Sequence, residues 1–104
     1  MTSVGCWQIF VYGRVQAVGY RDWVVSQAKG LGLDGFVRNV SDGTVEVLAS
    51  GPLSAVQALE HACWTGPALA RVFWIDRTVV HDQPPVEPGS GFRRLASVMR
   101  AAIR

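Results

Sequence analysis

Apolar residues recur along the chain in two different periods, and the switches between them mark the elements. Cys6 to Tyr12 is rich in β-branched and aromatic residues and stops at Gly13, which predicts a strand. From Tyr20 the period lengthens: Tyr20, Val24, Ala28 and Leu31 fall at helical spacing, with Gly30 and Gly32 as stop signals. Leu33 to Val40 reads as a second strand and Ser41-Asp42-Gly43 as a turn. Thr44 to Ala49 is the returning strand of a hairpin, with Val45 and Val47 set against Glu46 and Leu48. Gly51, Pro52 and Ser54 then punctuate the chain before a second helix, whose Val56, Leu59 and Cys63 share one face and which ends near Gly66-Pro67. Arg71 to His81 is strand-like again, 82–91 is a loop with three prolines and two glycines, and Phe92 to Leu95 is a short strand.

Two strand–helix crossovers with a hairpin between them give the order βαββαβ. That order predicts a ferredoxin-like α+β sandwich, one antiparallel sheet with two helices on one face. Leu95, Val98, Met99, Ala102 and Ile103 return to helical spacing. Beyond a domain of residues 1–95 we therefore expect a basic amphipathic extension, 96–104, forming a short helix packed on the domain or on a second subunit, its arginines solvated and its removal without effect on the catalytic constants. The fold itself hosts RNA binders, metal chaperones, regulatory domains and enzymes, so function has to be read from a site.

Composition narrows the classes. With 104 residues, 49% hydrophobic and 17% charged, the chain suits one packed domain and excludes a disordered regulator. No apolar run approaches the ~20 residues of a membrane span, and Met1 to Cys6 has neither the basic start nor the apolar stretch of a signal peptide. A cytoplasmic location without a membrane partner is the expectation. Cys6 and Cys63 stand apart from any CxxC or histidine set and read as idle thiols. Arg93, Arg94, Arg100 and Arg104 concentrate the positive charge at the end of the chain, leaving the body net acidic and arguing against a nucleic-acid partner. Trp7, Trp23, Trp64 and Trp74 are scattered over four elements and are expected in the core or at its edges.

The informative segment is Gly13-Arg14-Val15-Gln16-Ala17-Val18-Gly19-Tyr20-Arg21, a loop that leaves a strand and enters a helix with arginine in its first turn. Inward-pointing backbone N–H groups, the helix start and a forked guanidinium together make an anion cradle. The plainer reading keeps Gly13 and Gly19 for the turn and pairs Arg21 with Asp22 or Asp34 at the surface. Asn39 has the same duality. Asparagine is depleted in strands, so its amide is either functional or a turn cap toward Asp42 or Gly43.

Gly13-x-Val15-Gln16-x-Val18-x-Tyr20-Arg21, followed by Gly35-Phe36-Val37-Arg38-Asn39-x-x-x-Gly43-Thr44-Val45 and Gly51, resembles the acylphosphatase family, and the resemblance runs from about Gln8 to Leu95. It implies the same βαββαβ fold and hydrolysis of the carboxyl-phosphate anhydride of a small-molecule acyl phosphate, yielding a carboxylate and inorganic phosphate without metal or other cofactor. It further implies that Arg21 binds the phosphate, within a loop of Val15, Gln16, Ala17, Val18, Gly19 and Tyr20, and that Asn39 positions the water. The chemistry is consistent with this economy, because a carboxylate whose conjugate acid has a pKa of about 4 departs without a general acid, so His61 and His81 need not act. The alternative is a catalytically weakened anion-binding or single-stranded RNA-binding module on the same fold, although the strand 35–39 lacks the aromatic set of an RNA binder. A monomer is expected rather than a dimer.

Three positions depart from the family pattern: Ala17 for a usual glycine, Tyr20 for phenylalanine and Val40 for threonine. We expect an ordinary negative φ at Ala17, with Gly13 and Gly19 absorbing the sharp bends, and a Tyr20 ring packed beneath the helix start. Loss of the hydroxyl at Val40 is expected to lower the rate without abolishing binding. Arg38 is expected as an exposed strand arginine beside Asp34 and Glu46.

Overall fold

The elements follow in chain order as β1 (Val4–Arg14), α1 (Tyr20–Gly30), β2 (Asp34–Asn39), β3 (Val45–Pro52), α2 (Leu53–Thr65), β4 (Arg71–Val79) and β5 (Phe92–Arg94), with a single 3-10 turn at Arg100–Ala102. This is a computed structural model that describes residues 3–81 and 86–103. The strands form one sheet in the order β4-β1-β3-β2-β5. β1 pairs antiparallel with β3 and β4, and β2 pairs antiparallel with β3, as the hairpin pattern predicts.

β5 departs from the expected all-antiparallel sheet by running parallel to β2, with Gly35 opposite Phe92 and Val37 opposite Arg94. The cause is topological. β4 ends at the same end of the sheet at which β2 begins, so a chain that re-enters the far edge from that end must run in the direction of β2. The same directions bring the exits of β1, β2 and β5 together at the opposite end, where the site lies.

Alternation decides the two faces of the sheet. Trp7, Ile9 and Val11 of β1 join Val37, Val45 and Val47 beneath the helices, which contribute Tyr20, Val24 and Ala28 from α1 and Val56, Leu59 and Cys63 from α2. On the other face Glu46 is 2% exposed, and its carboxylate accepts hydrogen bonds from Gln8 Nε2 at 3.0 Å and Arg38 Nε at 2.6 Å. Arg38 thus has the expected Glu46 as its partner, in a largely covered pair. Asp34 instead accepts from the N–H groups of Gly89 and Gly91 at 2.9 and 2.8 Å. Both cysteines are buried and free. Trp7 sits in the core and Trp23 packs against it, whereas Trp64 and Trp74 are exposed and meet edge to face at 6.1 Å.

The expected C-terminal helix does not form. Leu95 N–H donates to Val37 O at 2.9 Å, Val98 makes a parallel bridge with Val40, and only then does the short 3-10 turn follow. An isolated helix of this length is marginal, whereas the free edge of β2 offers unpaired backbone groups that an extended segment can satisfy. Of the extension's arginines, Arg104 lies outside the described residues and Arg100 is partly exposed but paired, as is Arg94 on β5. Arg94 Nη1 pairs with Asp22 Oδ1 at 2.7 Å and Arg100 Nη1 with Asp42 Oδ2 at 3.1 Å. Among the described residues no helix is long and apolar enough to cross a membrane.

Candidate active site

Just before the loop between β1 and α1, the β1–β4 ladder has an irregularity between Tyr12 and Gly13, after which Gly13 and Arg14 pair with Val72 and Arg71. Gly13 has φ +133°, and a Cβ there would lie 2.1 Å from the carbonyl oxygen of Arg71, so only glycine lets the two strands stay this close past the irregularity. Further along, Ala17 has φ +59° and Gly19 φ +78°. Ala17 is the one non-glycine residue with positive φ among those described, so the sign of φ alternates from Gln16 to Gly19. That alternation is the backbone conformation of a nest, in which successive N–H groups can converge on one point.

The expectation of a negative φ at Ala17 is therefore corrected. Gly13 is committed to the strand irregularity and Gly19 to the start of α1, so neither relieves the middle of the loop. The left-handed conformation costs an alanine about 1–2 kcal/mol that glycine does not incur. Gln16 helps to hold the turn from outside, its Nε2 donating to Val40 O and Thr44 O, each at 2.8 Å. Within the described residues, no carbonyl or side chain accepts from the N–H groups of Gln16, Ala17, Val18 or Gly19. α1 starts on Gly19 with no side-chain cap, which leaves its N-terminal donors facing the same space.

Tyr20 packs in the core at the foot of α1, as expected, and its hydroxyl donates to Cys63 O at 2.7 Å. Burial, reinforced by the neighbouring Cys63, pushes the phenol well above its ordinary pKa. The Cys63 thiol is likewise pushed up to about 12, chiefly by burial.

Arg21 is half-buried and donates through Nη1 to Leu95 O at 3.2 Å. Neither Asp22 nor Asp34 is its partner, since Arg94 takes the first and the loop of Gly89 and Gly91 the second. At the end of β2, Asn39 Oδ1 is buried with no hydrogen-bond partner among the described residues. The turn is capped by Asp42, whose Oδ1 accepts from Thr44 N at 2.9 Å and Thr44 Oγ1 at 2.6 Å. Burial works against the Asp42 carboxylate, but the Thr44 bonds and Arg100 outweigh it and hold the carboxyl below its usual pKa.

A cavity of about 140 Å³ lies where these parts meet, lined by Val15, Ala17, Gly19, Tyr20, Arg21, Asp22, Asn39 and Arg94. Of the residues expected in the loop, Gln16 turns its side chain to the hairpin and Val18 packs against the core, so their contribution at the cavity is limited to backbone. Val40 is buried, and its carbonyl takes one of the Gln16 bonds. The sequence reading missed the Asp22–Arg94 pair at the rim. Local spacing carries no signal for it, because only the parallel pairing of β5 with β2 brings Arg94 there.

The acylphosphatase family profile matches residues 7–95. An acylphosphatase of Azorhizobium caulinodans is 48% identical over 90 residues, spanning 86% of this chain and 94% of its own length. One of Rhodospirillum rubrum is 52% identical over 79 residues, spanning 76% and 85%. Among solved structures, an acylphosphatase from Bacillus subtilis superposes with a TM-score of 0.80 at 33% identity, covering 89% of this chain and 99% of that one. An acylphosphatase from Coxiella burnetii gives 0.79 at 34% identity, covering 88% and 93%. A match through nearly the whole sheet, reaching from β1 across the nest to the end of β5, leaves one assignment: the chain belongs to the acylphosphatase family.

Proposed function

We propose that the protein is an acylphosphatase whose work is done in the cavity between the β1–α1 loop and the end of β2. The nest and the start of α1 take the phosphoryl oxygens of an acyl phosphate, and the Arg21 fork supplies the cation that a dianionic phosphate requires. As water attacks phosphorus, the bond from phosphorus to the acyl oxygen breaks and its electron pair leaves with the carboxylate. Negative charge on the phosphoryl oxygens is met by donors already in place, which is the chief source of acceleration available to such a site.

The buried, unpartnered Asn39 Oδ1 beside Arg21 is the observation that carries this reading. A buried acceptor without a donor is costly, and a water that donates to it is both satisfied and oriented, with its lone pair free for phosphorus. Asparagine is no base at neutral pH, so the proton of that water passes to phosphate or solvent. The acyl portion meets no dedicated pocket in this account, which predicts breadth toward the acyl group.

The test is turnover of benzoyl phosphate with and without a chelator, set beside an aryl phosphate monoester. Undiminished hydrolysis in chelator, with little activity on the monoester, is expected, because the poorer leaving group needs assistance that these residues do not supply. Comparable rates on the two substrates, or loss of activity in chelator, would refute it.

A further inference from the structure

The family match ends at Leu95, yet the residues beyond it are bonded to the strand end that carries Asn39. Val98 N–H donates to Asn39 O at 3.0 Å, and Ser41 N–H donates back to Val98 O at 2.9 Å, so one residue of the tail brackets Val40 on both sides. The next contacts extend the grip. Arg100 N–H donates to Ser41 Oγ at 2.9 Å, its Nη1 reaches Asp42 Oδ2 at 3.1 Å, and its guanidinium lies 4.0 Å from the centre of the Phe10 ring on β1. Residues 39, 41 and 42 are thus each held by the tail, and Phe10 anchors the tail to a central strand.

From these contacts we propose that residues 98–103 form a strap that positions Asn39 for water attack, making the tail a positioning element of the active site. The proposal rests on the reading that Asn39 orients the water. The physical reason is the place of Asn39 at the last paired position of β2. On one side it stands opposite Val45 of β3; its backbone carbonyl points to the other side, where among the described residues Val98 N–H is the donor that meets it. An unpaired strand end frays, and a displacement of about 1 Å in a positioned group costs on the order of 10²-fold in rate. Among the described residues, 98–103 give no direct bond to the nest or to Arg21, and their link to the nest runs through Val40, whose carbonyl accepts from Gln16, so loss of the strap falls chiefly on Asn39.

The test uses the full chain with Val98→Pro, which removes the N–H that meets Asn39, and Val98→Ala, which keeps it. Hydrolysis of benzoyl phosphate and inhibition by inorganic phosphate are measured for both, alone and combined with Asn39→Ala. Val98→Pro is expected to lower kcat about tenfold or more, while phosphate inhibits within about twofold of the wild-type concentration and Val98→Ala stays near wild type. In the Asn39→Ala background, Val98→Pro should have no further effect on kcat, since its route to the chemistry has been removed. An unchanged kcat in Val98→Pro, or an equal loss in the presence and absence of the Asn39 side chain, overturns the strap while leaving the site reading in place. Wild-type turnover in Asn39→Ala overturns the site reading, and the strap with it.

Discussion

Tyr20 Oη and Cys63 O, 2.7 Å apart, join the first turn of α1 to the last turn of α2. The carbonyl needs this donor. In a continuing helix it would receive the N–H four residues on, but that residue is Pro67, which has none. The tyrosine that stands where the family usually has phenylalanine is therefore matched to a helix end that would otherwise bury an unsatisfied acceptor. Tyr20→Phe should cost about 1–2 kcal/mol in chemical denaturation and leave kcat close to wild type, because the ring still packs under the loop. A variant as stable as wild type would show that the carbonyl finds another donor.

The same pair sets an alkaline limit on stability. Folding raises the pKa of both Tyr20 and Cys63, the thiol from 9.0 to about 12. Unfolded chains release these protons first, so the stability they contribute is complete below the unfolded thiol value of 9.0 and is lost as pH rises above it. Denaturation curves measured upward from neutrality should show a decline beginning near that value, with a shallower slope in Cys63→Ala. An identical slope in that variant would assign the decline to other groups.

Ala17 stores strain that glycine would release. Since its φ is +59°, Ala17→Gly should stabilise the protein by about 1 kcal/mol, offset in part by the greater freedom of glycine in the unfolded chain. The backbone already has the nest conformation, so kcat/KM should change by less than about tenfold. Ala17→Val should do the opposite, because a β-branched residue tolerates the left-handed region least. Thermal melts of the three proteins check the order.

At the rim of the cavity, Arg94 neutralises Asp22, whose carboxylate would otherwise face an incoming phosphate. Arg94→Ala should weaken inhibition by inorganic phosphate a few-fold, and Asp22→Asn should strengthen it, with both effects shrinking as salt is added. Equal phosphate affinity in both variants would place the pair outside the reach of the site.

How far the sequence reveals this protein depends on the range of the interaction. The β-branched and aromatic run from Cys6 to Tyr12, the helical spacing of Tyr20, Val24 and Ala28, and the Ser41-Asp42-Gly43 turn are local patterns, and each element they predict is present. That Arg21 and Asn39 line one cavity accords with the motif that carries the family resemblance. The torsion at Ala17 is not legible, since it depends on what Gly13 and Gly19 must do elsewhere. Nor is the course of residues 95–103: their helical periodicity is real, but the unpaired edge of β2 competes for the same backbone groups and wins. Arg94 acquires its partner through the pairing of β5 with β2, and Arg100 through that docking.

If Arg21 holds the phosphate while Asn39 places the water, kinetics with phosphate inhibition on the two alanine variants separates the two roles. For Asn39→Ala, kcat on benzoyl phosphate should fall by about 10²-fold or more while inorganic phosphate inhibits at the wild-type concentration. For Arg21→Ala, kcat and phosphate inhibition should be lost together. Phosphate inhibiting Arg21→Ala as it does the wild type, or Asn39→Ala turning over at the wild-type rate, would show that these residues do not have these roles.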